Sequence, residues 1–147
     1  GVIVKGQENM LVRMAHCCRP VPGDPIVGFI TRGRGVSIHR ADCSNLLSLI
    51  DQGDDRIIEV AWAEESPEGY RACLSVIALD KTGVMAEMTQ ILSSMGVPIT
   101  SVQGHRGKNK VFHTEFEIMI QDIDQLERII KQFQKMPYVI EAYRGTM

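Results

Sequence analysis

Four residues in the first third of the sequence have the types and the order to hold a metal ion. Cys17 and Cys18 stand side by side in "MAHCCRP", His39 follows farther along, and Cys43 lies four positions beyond it. Three sulfurs and one imidazole nitrogen complete a closed tetrahedral zinc site, and such a site is structural because no coordination position remains for water or substrate. The pattern is not C-x-x-C, so spacing alone is a moderate signal. The competing reading is plain packing, since a buried free cysteine behaves as a small hydrophobe. A thiol-catalytic pair of Cys17 and His39 is conceivable, but an adjacent cysteine and a distal Cys43 favour a metal over a nucleophile. His16 is a spare nitrogen without an assigned role, and Cys73 reads as core.

Strands and turns must bring these four together. "MLVRMAH" (10 to 16) has strand character, "IVGFITR" (26 to 32) and "GVSIH" (35 to 39) are short strands around the "RGRG" turn, and "SNLLSLI" (44 to 50) is a short helix. "RIIEVAWA" (56 to 63) reads as one further strand. Successive side chains of a regular strand point to opposite faces, so Cys17 and Cys18 can share a site only where the strand breaks. Pro20 and Pro22 in "PVPGDP" supply a reason for the break. A domain of this size has a thin core and often needs a staple.

Composition bounds the rest. The chain has 147 residues, 44% of them hydrophobic and 23% charged, which is globular composition with room for one ordinary domain or two small ones. A net charge of −2 argues against a wholesale basic nucleic-acid binder. No apolar run approaches the roughly 20 residues needed to span a bilayer. No signal peptide or Asn-x-Ser/Thr acceptor is present, and clustered cysteines fit a reducing cytoplasm better than a disulfide framework. The chain opens on Gly1 rather than methionine, which suggests a piece of something longer.

Charge is uneven along the chain. Residues 11 to 43 carry Arg13, Arg19, Arg32, Arg34 and Arg40 against Asp24 and Asp42, a local +3. Residues 44 to 69 carry Arg56 against Asp51, Asp54, Asp55, Glu59, Glu64, Glu65 and Glu68, a local −6. "EESPEGY" (64 to 70) reads as a connector. A small cysteine-rich, β-dominated domain at 1 to 66 and a second domain at 67 to 147 are expected.

The second half alternates cleanly. "ACLSVIAL" (72 to 79) is a buried strand, and "VMAEMTQILSSM" (84 to 95) is a helix that stops at Gly96. "ITSVQGHR" (99 to 106) and "VFHTEFEIMI" (111 to 120) are strands, the latter with Phe112, Thr114, Phe116, Ile118 and Ile120 on one face. "IDQLERIIKQF" (123 to 133) is an amphipathic helix capped by Asp122, and "YVIEAY" (138 to 143) closes as a strand. The order βαββαβ predicts an α+β, ferredoxin-like fold with both helices on one face of an antiparallel sheet.

That order, with "DKTGVMAEM" at the first turn, resembles an ACT domain, an amino-acid-sensing regulatory module. The resemblance implies that Asp80, Gly83, Val84 and Met85 surround an effector. Gly83 lacks a Cβ and lets a ligand approach, and exposed N–H groups at the start of the following helix favour an anion. The plainer alternative is that Asp80 and Gly83 only make a turn and a helix start. The block "HCCRPVPGDPIVGFITRGRGVSIHRADCSNL" is similar to the conserved-cysteine or zinc-finger region that precedes the ACT domain in long Rel/SpoT-type stringent-response proteins. The resemblance covers nearly the whole chain and places zinc ligands on Cys17, Cys18, His39 and Cys43.

A zinc ion with three thiolates and one neutral imidazole carries about −1, which Arg19 and Arg40 would balance. Arg32 and Arg34 alternate with glycines on a turn, where guanidinium groups grip phosphate. The resemblance implies that Arg19, Arg32, Arg34 and Arg40 belong to a surface facing ribosomal RNA and the A-site tRNA of a stalled ribosome. It also implies that (p)ppGpp synthesis, a GTP pyrophosphokinase reaction using ATP, and its hydrolysis reside in domains N-terminal to this segment. No P-loop is present, and the segment itself is expected not to be an enzyme. The rival from another class is an amino-acid sensor that binds valine, isoleucine or leucine between two protomers. A third reading is a dimerisation unit without ligand, paired along the edge strand near residues 99 to 105.

Overall fold

The computed structural model describes residues 1–6, 10–33, 35–63 and 66–146. The chain divides into two compact units, Gly1–Pro67 and Glu68–Gly145.

In the first unit the elements are β1 (Val2–Val4), β2 (Val12–Met14), β3 (Ile26–Thr31), β4 (Gly35–Arg40), α1 (Ser44–Asp51), β5 (Ile57–Ile58) and β6 (Val60–Trp62). A four-stranded sheet has the order β2-β4-β3-β5, with β2 parallel to β4 and the other pairs antiparallel. Residues 56 to 63 do not form the single strand that the sequence suggests. Around Glu59 the chain leaves the large sheet, and β6 pairs instead with β1, from Val2 against Trp62 to Val4 against Val60. The partner strand β1 is three residues long, too short for a periodic signal.

Alternation along β4 sends Val36 and Ile38 to one side and Ser37 and His39 to the other. Val36 and Ile38 pack with Val4 and Val60 in one apolar cluster. On the other side Ala15, Cys18, Phe29, Cys43 and Leu46 form a second, under α1. Gly35, which opens β4, cannot be replaced cheaply. Its φ is +89°, and a Cβ there would lie 2.1 Å from the carbonyl oxygen of Leu11.

The second unit runs β7 (Tyr70–Leu79), α2 (Val84–Ser94), β8 (Ile99–Arg106), β9 (Val111–Ile120), α3 (Ile123–Gln134) and β10 (Val139–Arg144). Its sheet is antiparallel in the order β10-β7-β9-β8, the βαββαβ arrangement expected. Thr114, Phe116, Ile118 and Ile120 are buried on one face of β9, opposite Ala72, Leu74 and Val76 of β7. Phe133 of α3 meets the Phe116 ring, and Met85 of α2 lies over Gly104 beside Phe112, so both helices cover this face. Asp122 caps α3, its Oδ1 accepting from the Gln125 N–H at 2.8 Å. Within this core the Thr114 hydroxyl has no hydrogen-bond partner among the described residues.

Cys73 is buried, but on the face away from the helices. Its Sγ donates to Glu115 Oε2 at 3.2 Å, and Ser75 Oγ donates to the same oxygen. Burial first, and then the Glu115 carboxylate, push the Cys73 thiol up to about 12. Among the described residues no helix is long and apolar enough to cross a membrane.

Candidate functional site

The strand carrying residues 12 to 14 ends where the cysteines begin. The Arg19 N–H closes a turn on the Ala15 carbonyl at 3.0 Å, and Arg19 takes φ +47°. The break anticipated from the two prolines is therefore a tight turn that points both thiols the same way. Beyond it, Asp24 ties the proline loop by accepting the Val21 N–H at 2.8 Å, and Trp62 Nε1 donates to the Asp24 carbonyl at 2.9 Å.

His39 comes from the end of β4, and Cys43 from the N-cap position of α1. One ligand atom from each of Cys17, Cys18, His39 and Cys43 lies within 4.8 Å of all the others. A tetrahedral zinc with Zn–S of about 2.3 Å and Zn–N of about 2.0–2.1 Å requires S···S edges of about 3.8 Å and S···N edges of about 3.6 Å. The Cys17 and Cys43 sulfurs are 3.6 Å apart, and His39 Nδ1 is 3.5 Å from Cys17 Sγ and 3.8 Å from Cys18 Sγ. The donor set thus fits such an ion in type, number and size.

Electrostatics favour the ligand form at His39 and Cys43 but oppose it at Cys18. Burial holds the His39 imidazole below its ordinary value, which keeps it neutral as a ligand must be. Burial, with the neighbouring Cys17 and Cys43 adding to it, raises Cys18 to about 12, against an opposing hydrogen bond from the Arg40 N–H at 3.3 Å. Burial also works to raise Cys43. There it is outweighed by the N–H groups of Leu46 and Asn45 and by the Cys17 and Cys18 side chains, so the thiol sits below its ordinary value. A thiol in that position at a helix start is prepared to become a thiolate.

Arg19, Arg32 and Arg40 are not brought into one patch. Arg40 sits at the metal end of β4, its Nη2 paired with Asp42 at 2.7 Å, and Arg19 is half-buried at the cysteine turn. Arg32 is exposed at the opposite end of the β3–β4 hairpin, and Arg34 lies outside the described residues. Six strand residues separate the two ends by roughly 15–20 Å.

In the second unit, Asp80, Gly83, Val84 and Met85 do border one cavity, of about 660 Å³, together with Arg106 and Phe112. Gly83 takes φ +84° with open space where a Cβ would stand. The Val84 N–H is not available to an anion, because it closes onto the Lys81 carbonyl at 3.2 Å. Arg106, whose Nε pairs with Asp80 Oδ2 at 3.1 Å, is a site residue that the sequence reading missed. It is far from the loop in sequence and arrives there only through the pairing of β8 with β9.

Taken together, the two units are a β module with a cysteine and histidine cluster able to hold a metal ion and a ferredoxin-like regulatory module. Residues 2–63 match the RelA/SpoT RIS domain and residues 66–144 match the ACT domain. The chain belongs to the ACT-domain family and, with the RIS domain beside it, is a region of a RelA/SpoT-type protein. It is 39% identical over 146 residues to a GTP pyrophosphokinase of Streptomyces coelicolor, covering 99% of this chain and 17% of that protein. It is 37% identical over 144 residues to a GTP pyrophosphokinase of Escherichia coli, covering 97% of this chain and 19% of that protein. The chain thus spans about a fifth of the length of these relatives. A solved ACT domain from a GTP pyrophosphokinase of Chlorobium tepidum matches 52% of this chain and 86% of its own, with a TM-score of 0.47 and 19% identity.

Proposed function

We propose that this chain is a non-catalytic regulatory segment of a (p)ppGpp synthetase/hydrolase. The first unit contacts ribosomal RNA and the A-site tRNA on a starved ribosome. The second relays that state to upstream catalytic domains through oligomer or interdomain contacts, including a homodimer along the open edge of β8. The observation that carries this reading is the convergence of Cys17, Cys18, His39 and Cys43, because an ion held there would tie down the base of the hairpin whose far turn carries Arg32. Zinc is the resident ion of that site, with a structural role. Similarity along almost the whole chain to part of two GTP pyrophosphokinases supports the regulatory assignment, and a cytoplasmic location belongs with it.

Exposed Arg32, with Arg34 beside it in sequence, is the phosphate-gripping end. In a ribosome pelleting assay, Arg32→Glu with Arg34→Glu weakens association strongly while zinc content and fold persist. Unchanged pelleting removes the RNA-contact part of the proposal.

A second reading has one specific observation in its favour. The cavity beside Gly83 presents a carboxylate and a guanidinium, Asp80 and Arg106, against apolar Met85 and Phe112. That combination suits the ammonium, carboxylate and side chain of valine, isoleucine or leucine. Calorimetry with these three amino acids tests it, and Arg106→Ala should abolish any heat of binding.

A further inference from the structure

A second cavity, of about 400 Å³, opens on the sheet face that carries the metal ligands. Its lining includes Arg13, His16, Thr31, Ser37, Cys17 and His39. No carboxylate borders it among the described residues. Arg13 and Ser37 are register partners on the parallel strands β2 and β4, so both project from the same face. Arg13 is exposed and has no ion-pair partner among the described residues.

Ser37 is the informative member. It is 6% exposed, and its Oγ lies 3.4 Å from His39 Nε2, its one hydrogen-bond partner among the described residues. With Nδ1 turned to the sulfurs as a ligand, Nε2 carries the imidazole hydrogen and donates to Ser37 Oγ. The Ser37 O–H then needs an acceptor of its own, and the side facing the cavity is where none has been supplied. Thr31 does not compete, because its hydroxyl donates to the Gly35 carbonyl at 3.1 Å.

We propose that this cavity is an oxyanion site that takes a phosphate group, held by the Arg13 guanidinium and by the Ser37 hydroxyl that His39 orients. A buried donor with a cation at the rim and no acid among the described lining residues selects a group rich in acceptor oxygens and negative charge. The same serine accepts from the Nε2–H that remains when His39 offers Nδ1 to the metal, so anion binding and metal binding share one hydrogen-bond chain. This rests on the metal assignment and is independent of the RNA role given to Arg32 and Arg34.

The test uses the whole zinc-loaded chain, labelled with 15N and titrated separately with inorganic phosphate, a mononucleotide and a short single-stranded oligoribonucleotide. Saturable shifts centred on Arg13, Thr31 and Ser37 are expected. Arg13→Gln and Ser37→Ala should each weaken phosphate binding about tenfold. Arg13→Gln changes an exposed side chain and should leave zinc content intact. Tighter binding of the oligoribonucleotide would identify a backbone phosphate as the occupant, and preference for the mononucleotide or for phosphate itself would identify a free one. Absence of saturable shifts at these residues with all three probes overturns the proposal, as does binding that Arg13→Gln leaves unchanged. Arg32→Glu with Arg34→Glu serves as the separating control, since it should strongly weaken ribosome pelleting without moving the phosphate titration.

Discussion

The two units solve the problem of a small core in different ways. Of the twelve largest fully buried side chains among the described residues, nine lie in the second unit and only Val21, Ile38 and Leu46 in the first. The second unit lays two helices over one sheet face and concentrates its apolar side chains there. The first divides a similar sheet into two thin apolar layers, one under α1 and one against the β1–β6 pair. Four polarizable side chains converge at one edge of that layering. The contrast teaches that the cysteine and histidine cluster, which could hold a metal ion, is part of the first unit's core rather than an addition to it.

The largest effect expected from this contrast is selective loss of the first unit when its ion is removed. Structural zinc contributes about 10–16 kcal/mol of apparent binding free energy in zinc-finger peptides. Chelation, or Cys43→Ser, should therefore unfold residues 1–63 while amide resonances of the second unit stay in place. Loss of dispersion in both units together would break the comparison. Acid should act in the same direction. Cys18 keeps its proton up to about 12 without a metal, so binding must expel that proton. The metal affinity accordingly falls as pH falls, about tenfold per pH unit for each thiol that has to ionise. Proton release on zinc addition, followed with an indicator dye, measures it.

The converse perturbation is smaller. Phe116 is fully buried between the sheet and α3, and Phe116→Ala should cost about 3–5 kcal/mol in denaturant unfolding of the second unit. Zinc loaded into the first unit should stay bound through that transition. Smaller again, and opposite in sign, is Thr114→Val. It removes a buried hydroxyl without a partner while preserving shape, and should stabilise the second unit by about 1–2 kcal/mol. Smallest is Asp122→Ala, which deletes the α3 cap and should cost about 1 kcal/mol, read as a shift in the same denaturation midpoint.

Legibility in the sequence followed the same division. The second unit's helices and strands were readable because their apolar residues repeat with periods of about 3.6 and 2 over long segments. The metal ligands were readable for a different reason, since sulfur and imidazole announce their chemistry by type. What could not be read was whatever depends on register. Ser37 carries no signal until β4 is known to place it two residues from His39 on the same face. Arg106 reaches Asp80 only by strand pairing, and a three-residue β1 is invisible until β6 needs a partner. Arg19, Arg32 and Arg40 looked like one cluster in the linear sequence, and the length of a hairpin sets Arg32 apart from the other two.

Sequence separations among the ligands have a kinetic consequence. Cys17 and Cys18 stand 21 to 26 positions from their partners, and the whole β3–β4 hairpin lies inside that interval. Closing so long a stretch of free chain is entropically costly, whereas a formed hairpin brings its own base together beforehand. Capture of the ion should therefore wait on turn formation at residues 31 to 35. A substitution at Gly35 would slow metal uptake during refolding without touching a single ligand.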